Sequence, residues 1–287
     1  MNKYTKQLLN IKEYTMSEIA NYFLYRNAEG ETGLSANSID DLNLDDLFAE
    51  IDYCHSSIGR QYLYYLLLSD KTSGMEKQEA LLSSLATHTE LRTLLSNSLK
   101  ELDKPDAYSI VSILENDNTG IGVKEMVLIN ICRFLPLLFL ALMLLTHSGV
   151  FLTLFVFSFV ANAVLHYRNK AKIQRYFFSI PQLLKMIRQA GKLAQNKEFI
   201  SVDPSITPDL KAVEGLKKYI SYFRFNLSLD NDMAIMFYMV AELIRVFFLH
   251  EAYAVGRTFH LLKEKATAIH NVYRFIGFLD SILSVGL

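Results

Sequence analysis

Residues 127–165 read VLINICRFLPLLFLALMLLTHSGVFLTLFVFSFVANAVL, and they decide the fold because they decide which solvent the chain meets. Charged residues make up 21% of the chain, yet none occurs between residues 134 and 165, and Arg133 alone interrupts the longer run. A polar segment at 146–149 divides the run into two halves, each close to the roughly 20 residues that a helix needs to cross a bilayer. The stretch predicts a helical hairpin that spans a membrane twice. The alternative is a hairpin buried in a large soluble helical domain.

The flanks of the hairpin predict its orientation. Lys124 and Arg133 lie on the entry side, and a second basic group follows the exit: Arg168, Lys170, Lys172 and Arg175. Because positive charge is retained on the cytoplasmic side, both flanks and both termini should be cytoplasmic, in a multi-pass protein of the inner membrane. Met1–Asn10 is polar and basic and is not followed by an apolar core, so it does not resemble a cleavable signal.

Composition and periodicity predict an all-α protein. Apolar residues make up 51% of the 287 residues, while 12 glycines and 5 prolines leave long stretches at helical spacing. The two cysteines, Cys54 and Cys132, indicate a reducing compartment without a disulfide framework. The formal net charge of −1 supplies no global basic field that would indicate nucleic-acid binding.

The chain divides into four predicted regions. Residues 1–39 form an N-terminal helix and a polar linker, 40–125 the first part of a helical core domain, 126–166 the hairpin, and 167–287 the second part of the core. A further apolar stretch, Ile235–Val255, is the other candidate for membrane contact. Glu242, Arg245 and Glu251 argue against its spanning the bilayer, because charge is costly at that depth.

Several positions predict helix ends. Asn43 fits an N-cap, and Ser56 or Ser57 fits the cap of the next helix. Gly59 lies in the first turn of that helix, where glycine costs about 1 kcal/mol relative to alanine, so we expect a neighbouring helix to approach closely there. Thr207 fits the cap of a later helix, and a last apolar helix is expected at about 264–285.

The sequence offers no convincing active site, so we expect neither enzymatic activity nor a metal or cofactor in this chain. No G-x-x-x-x-G-K-[ST] occurs, and Ala254 stands where a zinc-protease motif beginning at His250 would need its second histidine. Adjacent helical residues point apart, so Cys54 and His55 are poorly arranged as nucleophile and base. Capping and packing explain two further groups better than metal binding or base stacking do: the carboxylates Asp40, Asp41, Asp45 and Asp46, and the rings of Tyr62, Tyr64 and Tyr65.

Two segments resemble a known family. Residues 41–52 (DLNLDDLFAEID) with 56–63 (SSIGRQYL), and residues 273–284 (YRFIGFLDSILS), are similar to the opening and closing helices of the core, or lever, domain of MutS-type mismatch-repair ATPases. The likeness is greatest to the membrane-associated branch, in which a hairpin interrupts the core. The positions that carry it are Asp52, Ser57, Gly59, Arg60, Leu63, Gly277, Leu279 and Asp280.

The resemblance implies an all-α, lever-like bundle at about 40–287 that transmits nucleotide state mechanically and makes or breaks no bonds itself. The family's ATPase would follow the last helix, in cis or as a partner in trans, and would bind ATP and Mg²⁺. The family's Walker motifs and its mismatch-reading Phe-x-Glu motif do not occur here. The chain is then either a piece of such a protein or a relative without the motor.

The remaining partner predictions rest on charge and apolar surface. Four basic residues, Lys185, Arg188, Lys192 and Lys197, fit one face of a cytoplasmic helix, which favours contact with anionic lipid heads over duplex DNA. The bilayer is the main expected partner, with DNA and a second copy of the chain as further candidates. The alternative function is a free-standing membrane scaffold that recruits a cytoplasmic partner through apolar terminal helices. Transport is a distant third, because Arg133 is the hairpin's one internal ionisable group.

Overall fold

The computed structural model describes residues 15–30, 33–34, 36–69, 75–115, 123–174, 179–216, 244 and 246–286. Nearly all of these residues are helical, and their one β-type pairing is an isolated bridge between Gly33 and Ser69. The predicted all-α class is therefore confirmed. The interpretations of Met1–Asn10 and Arg175 fall outside the described residues, as do residues 235–243 and 245 of the apolar stretch Ile235–Val255.

The described helices follow in chain order. They are α1 Met16–Ile19, α2 Asn21–Ala28, α3 Ala36–Asp41, α4 Leu44–Ile51, α5 Ser57–Leu68, α6 Met75–Thr87, α7 Thr89–Lys100, α8 Ile110–Glu115, α9 Val123–Cys132, α10 Leu135–Thr146, α11 Gly149–Gln174, α12 Ser179–Leu193, α13 Lys197–Val202, α14 Ile206–Glu214, α15 His250–Glu264 and α16 Ala266–Val285. A short 3-10 turn occupies Pro105–Ala107.

These helices belong to two compact units. The first consists of Met1–Ser112, Arg188–Thr207 and Asn271–Leu287, and the second of Ile113–Ile187 and Pro208–His270. The predicted hairpin, 126–166, lies wholly in the second unit. The predicted core segments 40–125 and 167–287 each contribute to both units, so residues from before and after the hairpin share the first one.

The N-terminal region differs from its prediction in two ways. Within 1–39, where one helix and a polar linker were predicted, two short helices, α1 and α2, occur with a break at Ala20, and α3 begins before the predicted linker ends. Asn43 occupies the N-cap position of α4, but its side chain makes no capping bond. It has a left-handed φ of 47°, which asparagine tolerates better than most residues, so it turns the chain tightly between α3 and α4.

Helix α5 begins as predicted at a serine cap. The Ser56 hydroxyl accepts a hydrogen bond from the Gly59 backbone N–H at 2.9 Å. Most of α5 is buried, including Ile58, Leu63 and Leu68, so the helix lies at the centre of the first unit rather than on its surface. This burial explains why its apolar residues occur on all sides instead of along one stripe.

Two predicted boundaries shift in the second half of the chain. Helix α12 ends at Leu193, and Asn196 caps a separate helix, α13, by accepting from the Glu198 N–H at 2.8 Å. The sequence predicted Lys185 and Lys197 on one helix, but the capping asparagine ends that helix, and Lys197 lies on α13. Helix α14 begins at Ile206, one residue before the predicted cap Thr207. The last helix, α16, matches its prediction closely.

The second unit contains two helical stretches that are long and apolar enough to span a membrane. The stretch Lys124–Thr146 has 23 residues and Gly149–Arg168 has 20, and the mean hydropathy over an 18-residue window reaches 2.3 in the first and 1.9 in the second. The first stretch comprises α9 and α10 with a short break at Arg133–Phe134, and the second is most of α11. Helices α10 and α11 pack together as a hairpin, with His147 in a left-handed conformation at the turn.

Candidate functional site

Asp280 of α16 fastens the N-terminus of α5. The Asp280 carboxylate is fully buried, and it accepts hydrogen bonds from the His55 N–H at 2.9 Å, the Ser56 N–H at 2.8 Å and the Ser56 hydroxyl at 2.5 Å. The first turn of a helix leaves its N–H groups unpaired and carries partial positive charge, which a carboxylate matches. One side chain near the end of the sequence therefore completes the cap of a helix more than 200 residues earlier.

Two glycines let side chains of α5 and α16 pack directly against the backbone of the opposite helix. A Cβ atom built on Gly59 would lie 2.0 Å from Oδ2 of Asp280, and one built on Gly277 would lie 2.5 Å from Cβ of Tyr62. Neither position leaves room for a methyl group. The close approach that the sequence predicted at Gly59 is thus present, and its neighbour is the second segment that carries the family resemblance.

Ser284, one turn after Asp280, holds the same loop. Its hydroxyl accepts from the Tyr53 N–H at 2.8 Å and donates to the Ile51 carbonyl at 2.9 Å. We name this arrangement the Asp280 junction: Asp280, Ser284 and Gly277 of α16, loop residues 51–56, and Gly59. In it, side chains of α16 form hydrogen bonds with backbone groups at the end of α4 and the start of α5.

The remaining motif residues support the junction from the side. Nε of Arg60 lies 3.3 Å from Oδ2 of Asp52, and its Nη1 donates to Asp103 at 2.7 Å. The Ser57 hydroxyl donates to the Lys104 carbonyl at 2.9 Å, which ties the start of α5 to the loop after α7. Of the eight positions predicted from the resemblance, the other two, Leu63 and Leu279, are buried core residues.

The buried position of Asp280 changes its acidity. Burial raises the pKa of the Asp280 carboxyl from 3.8 to about 6, and it does so against the hydrogen bonds from His55 and Ser56 and the charge of Arg60, which lower it. The ionised carboxylate is the form that accepts all three hydrogen bonds. Ionising Asp280 in the folded protein therefore lowers the free energy of unfolding, and this loss develops as pH rises from about 4 to about 6.

Gln61 is a buried polar residue that the sequence did not single out. Its side-chain oxygen accepts from the Tyr273 hydroxyl at 2.5 Å, and its Nε2 donates to the carbonyls of Glu18 at 2.6 Å and Tyr108 at 3.2 Å. Tyr22 stacks on Tyr273 with 4.8 Å between ring centroids. The available signal was a glutamine within the apolar run of α5, and its partners were too distant in sequence to be named.

The chemistry rejected at the sequence level is also disfavoured by the environment of each group. Burial raises the pKa of the Cys54 thiol well above its usual value, and the carboxylates of Asp280 and Asp52 raise it further, so the nucleophilic thiolate is suppressed. Tyr62, Tyr64 and Tyr65 are buried, and they pack on other aromatic rings rather than standing free for bases. Among the residues that the structure describes, no three metal-ligating side chains lie together.

A second polar arrangement occurs inside the hairpin. Asn162 of α11 is buried, and its Nδ2 donates to the carbonyls of Cys132 at 3.2 Å and Phe247 at 3.0 Å. The Cys132 carbonyl would ordinarily pair with the N–H four residues later, but that residue is Pro136, which has none. Phe247 lies just before Leu249, whose φ of 47° interrupts the helical chain. Asn162 therefore supplies donors at two helix breaks.

Arg133 lies at the first of these breaks. Its Cζ is 4.5 Å from the ring centroid of Phe134 and 4.5 Å from that of Tyr253. Nearby, Ile129 and Leu249 are fully buried against each other. The apolar segment around Leu249, which the sequence marked as the other candidate for membrane contact, thus packs beside the hairpin.

The four predicted basic contacts are only partly available. Arg188, Lys192 and Lys197 are exposed, whereas Lys185 is half-buried. The first two lie on α12 with Lys185, and Lys197 starts α13. An open surface groove of about 710 Å³ includes Lys197, and its other lining residues come mainly from the start of α7 and the turn before α13.

Together, the fold and these sites define a helical protein with two helices of membrane-spanning length and composition, a buried capping junction and a polar cluster within its hairpin. In comparisons with known proteins, no family model, no curated protein and no solved structure matches this chain.

Proposed function

We propose that this chain is a membrane-tethered helical connector, equivalent to the core (lever) region of a MutS-like ATPase. The observation that carries the proposal is the Asp280 junction. The two segments that resemble the opening and closing helices of the family's core form one hydrogen-bonded unit, with Asp280 bonded to Ser56. A connector of this kind needs its last helix rigidly joined to its first, so that motion at one end is transmitted to the other.

Exposure of the hairpin supports membrane insertion. In an 18-residue window of each span, only 11% of the first and 17% of the second is buried inside the protein, whereas the core helix of a soluble protein is mostly buried. Large apolar side chains face outward along both spans, including Leu145 at 78% and Phe157 at 71% exposed. In the proposed arrangement lipid covers these side chains, the turn near Gly149 faces outward and both termini are cytoplasmic.

The basic residues Arg188, Lys192 and Lys197 would contact anionic lipid heads, with duplex DNA as the competing ligand. Duplex binding by the full chain in nanodiscs, measured across salt concentrations, separates the two. A DNA clamp predicts a steep fall in affinity with salt that becomes shallower in R188Q/K192Q. No duplex binding at low salt would remove DNA from the proposal and leave lipid.

In this proposal ATP and Mg²⁺ bind an ATPase domain in cis or in trans, and this chain performs no chemistry of its own. The direct test is the nucleotide sequence that follows codon 287. The proposal expects an open reading frame that leads into a G-x-x-x-x-G-K-[ST] domain, or a separate ATPase that copurifies with the chain. A stop codon there, together with a stable product that retains no ATPase, would overturn it.

The alternative, a scaffold that recruits a partner through apolar terminal helices, meets a specific obstacle. The apolar face expected to recruit a partner is already buried within the protein: Ile269, Val272, Tyr273, Ile276, Leu279 and Leu283. A scaffold would therefore need a different recruiting surface, and this favours the connector.

A further inference from the structure

The Arg133 guanidinium lies against two aromatic rings. Phe134 and Tyr253 each lie 4.5 Å from Cζ, close enough for cation–π attraction to hold the side chain in place. The guanidinium N–H donors lie in the plane of the group and point outward from its edge. A ligand that accepts hydrogen bonds from this guanidinium must therefore lie at its edge.

No acceptor is recorded at that edge. Nε of Arg133 is buried without a hydrogen-bond partner, and within the described part of the chain the guanidinium has no recorded hydrogen bond or ion pair. The two carbonyls freed at the neighbouring helix breaks, those of Cys132 and Phe247, already accept from Asn162. An arginine in apolar surroundings needs a counter-charge, and none of the described residues supplies one to Arg133, so a ligand from the surrounding lipid is the candidate acceptor.

The depth of Arg133 identifies the layer that supplies it. The hydrogen bond from Asn162 places the end of α9 level with residue 162 of α11. Arg168 ends the second span six positions later, which is about 9 Å along a helix. Arginine side chains extend toward the headgroups from positions just inside the hydrocarbon. The guanidinium thus lies within reach of the phosphate layer on the side of Lys124 and Arg168.

Local charge favours an anionic lipid over a zwitterionic one. Arg257 places Nη1 3.5 Å from the hydroxyl of Tyr253, so a second guanidinium stands at the far end of the same ring. Lys124 begins the first span on this side. Glu125 is the one acidic residue within the two spans, and it lies two turns before Arg133.

We propose that the edge of the Arg133 guanidinium binds the phosphate group of an anionic phospholipid, while the rings of Phe134 and Tyr253 hold the side chain in place. This inference rests on the proposed membrane hairpin and deepens it by naming a lipid class and a site. Planar guanidinium matches phosphate oxygens with two parallel hydrogen bonds, which an ammonium group does not reproduce.

The test uses the full chain in a neutral detergent and follows thermal unfolding while lipid is added. Phosphatidylglycerol should raise the Tm of the unmodified chain, whereas phosphatidylcholine and inorganic phosphate should raise it much less. Arg133→Gln should weaken the apparent affinity for phosphatidylglycerol by about tenfold or more, as expected for a lost charge-assisted pair. Arg168→Gln is the matched control, because it removes an exposed arginine of the same hairpin, and it should respond like the unmodified chain.

Two further variants keep the test decisive if Arg133→Gln folds poorly. Arg133→Lys retains the charge but loses the planar edge. Tyr253→Leu removes one of the two rings that hold Arg133, so both variants should bind the lipid more weakly. Equal responses in Arg133→Lys, Tyr253→Leu and Arg168→Gln would overturn the site, and a response to inorganic phosphate equal to that of the lipid would overturn the lipid assignment. A chain that stays soluble without detergent would refute the hairpin itself. A chain that needs detergent but ignores phosphatidylglycerol would refute only this inference.

Discussion

Gly59 of α5 and Asp280 of α16 come so close that only one of them can carry a side chain into the space between the helices. The carboxylate sits where a Cβ of residue 59 would be, and from there it reaches the N–H groups of His55 and Ser56. Glycine is unfavourable in a helix on its own account. At residue 59 this cost is offset by the hydrogen bonds that Asp280 accepts, because the carboxylate occupies space that a side chain would otherwise fill.

We predict that Gly59→Ala destabilises the protein by about 1–3 kcal/mol, because the new methyl group must displace the Asp280 carboxylate. The larger Gly59→Leu should cost more than 1 kcal/mol for the same reason. Gly191→Ala is the matched control, since it lies in α12 and a Cβ there meets nothing within 4 Å. The control should gain up to about 1 kcal/mol from helix propensity. Urea unfolding in detergent measures both, and equal effects at the two glycines would contradict the prediction.

The raised pKa of Asp280, about 6, predicts a pH dependence of stability. An unfolded aspartic acid has a pKa of about 3.9, so between these values the folded chain binds the proton more tightly than the unfolded chain does. The contribution of Asp280 to the free energy of unfolding is therefore largest at low pH, and it falls as pH rises to about 6 and then levels off.

Comparison with a variant that does not titrate isolates this contribution. Asp280→Asn should be less stable than the unmodified chain at every pH, because an amide cannot accept from all three donors. Its stability deficit should grow by about 1–3 kcal/mol between pH 7 and pH 4. Urea unfolding at several pH values gives the two curves. A deficit that shrinks toward low pH would show that the folded-state pKa is not raised.

At the scale of elements, the first span is two helices rather than one. Pro136 at the second position of α10 leaves the Cys132 carbonyl without its usual donor, and the chain turns at Arg133 and Phe134. A bilayer offers no water to such a carbonyl, so a neighbouring helix must satisfy it. Asn162 of α11 does this, and it also bonds the Phe247 carbonyl of the adjoining segment.

We predict that Asn162→Leu destabilises the second unit by about 1–3 kcal/mol, from two lost hydrogen bonds in an apolar setting. Asn130→Leu is a chemically matched control, because Asn130 lies in the other span of the same hairpin and its side chain makes no hydrogen bond to the described residues. Thermal unfolding in detergent compares them. If the two variants unfold at the same temperature, Asn162 does not hold the helix breaks.

At the scale of the whole molecule, each unit combines distant parts of the chain. The first unit takes residues from before the hairpin and from the last helix, and the second combines the hairpin with 208–270. The outer surface of the hairpin is apolar and uncovered by the protein. A soluble protein rarely leaves so much apolar surface exposed, and this gives the membrane proposal its physical basis.

We predict that a cysteine at Ser148, in the hairpin turn, reacts with a membrane-impermeant maleimide in intact cells. A cysteine at exposed Thr87 should react only after the membrane is opened, because the flank before the hairpin is expected in the cytoplasm. The unmodified chain is the control for the natural cysteines, of which Cys54 is buried. Labelling of both positions in intact cells, or of neither in cells and both in a soluble extract, would contradict the hairpin.

Local patterns predicted much of the architecture and part of the junction. Periodicity and composition indicated an all-α chain, the hairpin halves and the last helix, because these depend on neighbours a few residues away. The Ser56 cap and the close approach at Gly59 were also predicted, because serine is favoured at the start of a helix and glycine is unfavourable inside one. The break at Gln195–Asn196 was missed, because a basic face continues across it, and Asn43 proved to be a left-handed turn residue rather than a side-chain cap.

By itself, the sequence determined which stretches are helical and which are long and apolar enough for a membrane, because hydrophobicity and helix propensity act over a few turns. Only the tertiary structure decided what each buried polar group bonds. Asp280 caps α5, Gln61 accepts a hydrogen bond from the Tyr273 hydroxyl, and Asn162 donates to the free carbonyls at two helix breaks. These partners are 30 to more than 200 positions apart, and a buried polar side chain is satisfied by whichever group the folded chain brings within about 3 Å of it.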